Sequence, residues 1–207
     1  MITGANGTGK TTMACIMLGL LQPTRGQIFV DGVDLRQIQP EWWRKQVVYL
    51  PQEPVFFDGS IRENLLTNGA DISEEELLAI LQRVGLKQFL DESPAGLETS
   101  LAGGGRSLAL GIRRRIALAR GLITKGQLVV IDEPTEGMDQ AGRVVMGQVV
   151  SELAQEGRTL IVCSHNANML ANRGIRLNLD VKPVPAVTLP QANKAVGPVT
   201  TQVAEED

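Results

Sequence analysis

Gly4-Ala5-Asn6-Gly7-Thr8-Gly9-Lys10-Thr11 fits the pattern G-x-x-x-x-G-K-[ST], the spacing of a phosphate-binding loop. Each residue type has a physical task. The glycines let the backbone come close to a phosphate in conformations closed to other residues. Successive N–H groups then line an anion nest, to which the following helix adds its positive N-terminus. Lys10 is the residue expected to reach the outer phosphates, and the Thr11 hydroxyl is expected to ligate Mg²⁺. Asn6, Gly7, Thr8, Gly9, Lys10, Thr11 and Thr12 are the candidate phosphate-binding residues. The apolar run Met13-Ala14-Cys15-Ile16-Met17-Leu18 predicts a helix that continues to Leu21.

Such a loop follows a buried strand, and strands usually need about five residues. Only Met1-Ile2-Thr3 precede Gly4, so the opening strands are expected to lie outside this sequence. Downstream, Leu128-Val129-Val130-Ile131-Asp132-Glu133 is an apolar strand ending in two acids. In a parallel sheet the carboxyl ends of the strands face the ligand crevice. Asp132 is therefore a candidate Mg²⁺ ligand, and Glu133 is placed to polarise an attacking water. Alone, such acids could simply cap a turn; together with the loop at Gly4 they point to a nucleotide site.

Two further residues stand just past apolar strands. His165 is the only histidine and follows Thr159-Leu160-Ile161-Val162-Cys163. Gln52 follows the strand at 47–50, and its neutral amide can ligate Mg²⁺ and a water. Strands are also predicted at 27–30 and 33–35, turning at Asp31-Gly32. Ser73-Glu74-Glu75-Glu76 reads as a capping box that opens a helix ending at Gly85. A helix is predicted from about 140 to 156. Strands alternating with helices argue a parallel α/β sheet, with 60–122 as a helical insertion. From Lys182 onward Pro183, Pro185, Pro190 and Pro198 interrupt a polar stretch without period, which reads as a disordered tail over 181–207.

Composition sets bounds. The chain has 207 residues, 43% of them apolar, with a net charge of −3. One domain with a sizeable core is expected, and nothing favours a nucleic-acid partner. The two cysteines, Cys15 and Cys163, lie in apolar runs, as buried thiols of a reducing compartment do. No apolar stretch approaches the roughly 20 residues of a membrane helix.

Taken together, the motifs resemble the ATP-binding cassette (ABC) family. The resemblance rests on GANGTGKTT (residues 4–12), YLPQEPVFFDGSIRENL (49–65), RRRIALARGL (113–122), LVVIDEPTEGMD (128–139) and IVCSHN (161–166). It covers about residues 2–179. It implies an α/β P-loop NTPase fold with a parallel-sheet core and a helical sub-domain at about 60–122, within an ATP-binding domain at 1–180. It implies ATP and Mg²⁺ as ligands, Gln52 in the Q-loop, Glu133 as general base, Asp139 in the D-loop and His165 as the switch histidine. The partners it implies are a second nucleotide-binding domain and the transmembrane domains of an exporter. Residues 54–65 look most like the exporter branch, and DEPTEGMD is similar to bacterial type I secretion exporters. The place so implied is the cytoplasmic face of a bacterial inner membrane.

One departure concerns the signature L-S-G-G-Q, which the family places directly before the R-x-R-I-A-L-A-R helix. Counting back from Arg120 gives Leu108-Ala109-Leu110-Gly111-Ile112, so Ala109, Leu110 and Ile112 replace Ser, Gly and Gln: the hydroxyl is lost, and a branched side chain enters a position that suits bare backbone. Leu101-Ala102-Gly103-Gly104-Gly105 is closer letter by letter, but it would insert seven residues before the helix. The Leu108 register is preferred. Two other readings stay open here: a soluble ABC ATPase of translation or DNA repair, and a catalytically impaired remnant. A GTPase is disfavoured, since no N-K-x-D motif is present.

Overall fold

The computed structural model describes residues 1–67, 71–166, 174–182 and 184–190. Its centre is a six-stranded sheet built of β1 (Ile2–Thr3), β4 (Val47–Leu50), β5 (Leu128–Asp132), β6 (Thr159–Ser164), β7 (Arg176–Asn178) and β8 (Ala186–Thr188). The order across the sheet is β4-β5-β6-β1-β7-β8. All neighbours run parallel except β7 and β8. A separate hairpin pairs β2 (Phe29–Val30) with β3 (Val33–Asp34). Its turn residues Asp31 and Gly32 both have positive φ, 48° and 83°, as a type I′ turn requires.

Period-two alternation explains why both sheet faces are covered. Val48, Leu50, Val129 and Ile131 join one apolar cluster, while Val47, Tyr49 and Val130 join another. Helices α3 (Ile61–Leu65), α4 (Glu74–Arg83), α6 (Leu110–Ile123) and α7 (Gln140–Gln155) supply the first cluster. Helix α1 (Lys10–Met17) covers the second through Ala14, with Leu18 just past its end. Strands buried on both faces read as the continuous apolar runs seen in the sequence. Helices α2 (Pro40–Gln46) and α5 (Lys87–Glu92) are the other α-helices among the described residues.

Several expectations shift. Helix α1 stops at Met17 rather than Leu21, because Gly19 turns left-handed at φ 73° and the amides of Leu20 and Leu21 fold back onto the Cys15 carbonyl. This is a glycine-terminated helix end. The full reciprocal capping box is at Ser60 and Glu63, at the start of α3. At Ser73 the hydroxyl accepts from the Glu76 amide, one half of the box. The tail expected from 181 contains an edge strand, since Ala186–Thr188 pairs antiparallel with β7. Prolines flank this strand without entering it, so its ladder donors survive. The rest of that tail, 191–207, lies outside the described residues.

Candidate active site

Four adjacent strands end on the same edge of the sheet, and each delivers one part of the site. Gln52 follows β4. Asp132 ends β5 and Glu133 follows it. Ser164 ends β6 and is followed by His165. The loop at Gly4 follows β1. A groove at this edge is lined by Asn6, Gly7, Gly9, Lys10, Thr11, Thr12, Gln52, Asp132 and Glu133. Thr8 lies on the loop itself, where its hydroxyl donates to the Ala5 carbonyl at 2.9 Å. Gly9, the residue before α1, sits at φ 99°, a conformation that favours glycine and aims the first helical amides at the groove.

Lys10 is buried. Its ammonium donates to the carbonyls of Gly4 (2.8 Å) and Ala5 (3.1 Å) and lies 3.4 Å from the Glu133 carboxylate. Glu133 is also buried, and it takes a left-handed backbone at φ 47°. That conformation costs a non-glycine residue about 1–2 kcal/mol. It is held by the Glu133 amide, which donates to the Cys163 carbonyl, and by Arg114, which donates to the Glu133 carbonyl. The turn carries the carboxylate across to β6. There it accepts from the His165 amide (2.9 Å), the His165 Nδ1–H (2.9 Å) and the Ser164 hydroxyl (3.2 Å). Glu133 and His165 are thus one hydrogen-bonded unit with Lys10 beside it.

Thr11 and Asp132 form the second unit. The Thr11 hydroxyl donates to Asp132 Oδ2 at 2.5 Å. Asp132 is 1% exposed, yet its Oδ1 has no hydrogen-bond partner. Burial pushes the Asp132 carboxyl above its ordinary range, Glu133 adds to that, and the Thr11 bond and Lys10 oppose it. A buried carboxylate oxygen without a partner is the environment a cation corrects. The residues therefore fit Mg²⁺: a hydroxyl, a carboxylate and the Gln52 amide, all lining this groove, are hard oxygen donors.

Arg114 was not singled out in the sequence. Among the described residues it is the largest fully buried side chain. Its guanidinium donates to the carbonyls of Gln52, Glu133 and Glu136, so it ties the segment after β4 to the turn after β5. Burial lowers its pKa, and nearby carboxylates, Glu136 foremost, oppose that. A signal existed, because Arg114 lies three and four residues before Ala117 and Leu118 on the apolar face of a 3.6-period helix. Asp180 was also missed; its carboxylate accepts from the Ala5 amide at 2.9 Å.

Helix α6 begins at Leu110, with Ala109 as its N-cap and no side-chain cap bond. The first turn of α6 thus includes Leu110, Gly111 and Ile112, the last three residues of the Leu108 register. The Leu101–Gly105 stretch sits elsewhere. Gly103, Gly104 and Gly105 are left-handed, the Gly103 amide donates to Asp58, and Gly105 packs on Phe56. Asp139 caps α7 through the Gly142 amide.

A model of the ABC transporter family matches residues 1–136. The chain belongs to the ABC transporter family. Its fold is the family's P-loop NTPase fold, and both are those of an ATPase domain. The chain is 33% identical to antigen peptide transporter 2 of Rattus norvegicus over 83% of its length, and covers 24% of that protein. It is 34% identical over 78% of its length to the glutathione/L-cysteine transport system ATP-binding/permease protein CydD of Haemophilus influenzae, covering 27% of it. The solved structure of a bacterial Atm1-family ABC exporter with ATP bound matches with a TM-score of 0.81 and 26% identity, over 86% of this chain and 31% of that one. The chain thus spans about a quarter of the length of these curated relatives. No helix among the described residues is long and apolar enough to cross a membrane.

Proposed function

We propose that this ABC domain binds Mg-ATP in the groove at the strand ends and hydrolyses it to drive a bacterial exporter. The observation that carries the reading is the convergence of Lys10, the Thr11–Asp132 pair and Glu133, itself hydrogen-bonded to His165, on one groove. On this reading residues 1–180 are the ATP-binding unit, and the helices between 60 and 122 are its helical sub-domain. The amides of residues 6–12 cradle the phosphates, and Lys10 exchanges its carbonyl partners for phosphate oxygens. Thr11, Asp132 and Gln52 hold Mg²⁺, which when bound neutralises phosphate charge. Glu133 orients a water for in-line attack and accepts its proton, while the His165 Nδ1–H holds the carboxylate in place. The products are ADP and inorganic phosphate.

The partners we propose are transmembrane domains at the cytoplasmic face of a bacterial inner membrane and a second ATP-binding domain. The sequence likeness of 54–65 to exporters supports the first. The second bears on Ala109, Leu110 and Ile112. Ala109, at the N-cap of α6, offers no hydroxyl to a nucleotide on another domain. A partner with an intact signature would complete the site built on this chain's own Lys10 and Glu133. We therefore favour a heterodimer, or a weak homodimer, over a fast homodimeric ATPase.

The test is membrane fractionation of the full-length protein followed by ATP turnover. Recovery with membranes, with turnover abolished by Lys10→Ala, supports the reading. Recovery with nucleic acid instead would point to a soluble ABC ATPase. The triple change Ala109→Ser, Leu110→Gly, Ile112→Gln should raise ATP-dependent dimerisation several-fold. No rise, with loss of activity on altering Gly103 and Gly104, would refute the heterodimer argument.

A further inference from the structure

The side chain of Gln52 has a partner that the proposed chemistry does not use. Its Nε2 donates to Glu136 Oε2 at 2.6 Å. The same carboxylate oxygen lies 3.8 Å from the Arg114 guanidinium, and Arg114 also holds the Gln52 carbonyl at 2.7 Å. A carboxylate can only accept hydrogen bonds. The end of the amide that faces Glu136 must therefore be its NH₂, which leaves Oε1 as the end free to meet a cation. Gln52 lines the same groove as Asp132 and Thr11. Arg114 fixes its backbone, and Glu136 fixes the sense of its amide.

We propose that Glu136 is a positioning residue for the cation: held by Arg114, it orients the Gln52 amide so that the carbonyl oxygen is presented to Mg²⁺. This rests on the Mg-ATP reading above. The logic is that of metal ligands in general. A second hydrogen bond from the far side of a ligand to a carboxylate fixes its orientation and raises its basicity, and its loss typically costs 10–100-fold in metal affinity. Glu136 is half-exposed, so its replacement opens no buried cavity, but it removes a carboxylate that faces the buried Arg114.

The measurement is the Mg²⁺ concentration that half-saturates binding of a fluorescent ATP analogue to the full chain. Glu136→Ala should raise it about 10-fold. Removing any anion near a cation would raise it somewhat, so two controls separate orientation from field. Glu136→Gln removes the charge but keeps an acceptor, and should recover most of the wild-type value. In a Gln52→Ala background Glu136→Ala should add nothing further, since coupled residues are not additive. The proposal is overturned if Glu136→Gln is as impaired as Glu136→Ala, if the effect persists without Gln52, or if the Mg²⁺ requirement does not move. A wild-type chain that binds no analogue at any Mg²⁺ concentration would sink the Mg-ATP reading instead. The orientation is then read directly from the Gln52 side-chain amide resonances. They should be shifted by the Glu136 bond in wild type and move to solvent-like values in Glu136→Ala. Identical resonances in the two would overturn the proposal.

Discussion

Glu133→Gln changes one atom type and separates the chemical role of this residue from its structural one. The Glu133 carboxylate meets four donors: Lys10 and the His165 amide on Oε1, and the Ser164 hydroxyl and His165 Nδ1–H on Oε2. A glutamine has one acceptor and one NH₂. Its NH₂ cannot face Lys10 and the backbone amide, which can only donate. It must face Ser164, whose hydroxyl can rotate to accept, and His165, whose ring can accept at Nδ1 in the other neutral tautomer. The variant should fold, with the His165 proton moved to Nε2. Replacing charge-assisted bonds by neutral ones, and leaving buried Lys10 without its counter-charge, should cost about 1–2 kcal/mol. At this chain length that is a fall of roughly 2–8 °C in melting temperature. Turnover should fall about 10²-fold or more, or about 2.7 kcal/mol of barrier, as expected when a positioned base is lost. Calorimetry, ¹⁵N NMR of the imidazole, and ATP turnover in the full-length protein check the three parts. Unchanged turnover would move the base elsewhere. An unchanged His165 tautomer would show that the ring does not depend on Glu133.

Further outcomes follow from single contacts. Ala109→Ser supplies the missing cap of α6 and should stabilise the domain by about 0.5–2 kcal/mol in thermal unfolding; a fall would show that Ala109 is not the N-cap. Asp132→Asn should raise the stability of the nucleotide-free domain at neutral pH. Burial lifts the native carboxyl above its unfolded value, so the native state binds this proton more tightly and loses stability as pH rises through that interval. Melts from pH 4 to 8 without Mg²⁺ should show a smaller decline in the variant, and an equal decline would refute the assignment. Gly137→Ala should destabilise by about 1–3 kcal/mol, because Gly137 has φ 67° and its new Cβ would lie 2.7 Å from Leu110. Leu110→Ala should remove the steric part and leave the backbone part.

What was legible in the sequence follows physical period. Strands β4, β5 and β6 are apolar runs buried on both faces, so their positions, and with them Gln52, Asp132, Glu133 and His165, follow from counting. The Asp31-Gly32 turn was equally plain, because both positions need positive φ. Arg114 was harder: among three consecutive arginines, only the helical period distinguishes the one that enters the core. Glu136 carries no local signal, since its role arises from Gln52, 84 residues away. Helix α2 was passed over although Pro40 stands at its first turn, a start signal lost among polar neighbours. Strand β8 was hidden by the prolines around it and is made by its pairing with β7, not by its own propensity.

The Mg-ATP site proposed at the ends of β1, β4, β5 and β6 is built on Lys10. The most direct test is thermal unfolding with and without Mg-ATP, in wild type and Lys10→Ala. A ligand that binds only the folded state at about 100 times its Kd adds about 2.7 kcal/mol, or roughly 5–11 °C for a domain of this size. That rise is expected in wild type, dependent on Mg²⁺, and absent in Lys10→Ala. Equal stabilisation of wild type and Lys10→Ala by Mg-ATP would contradict it.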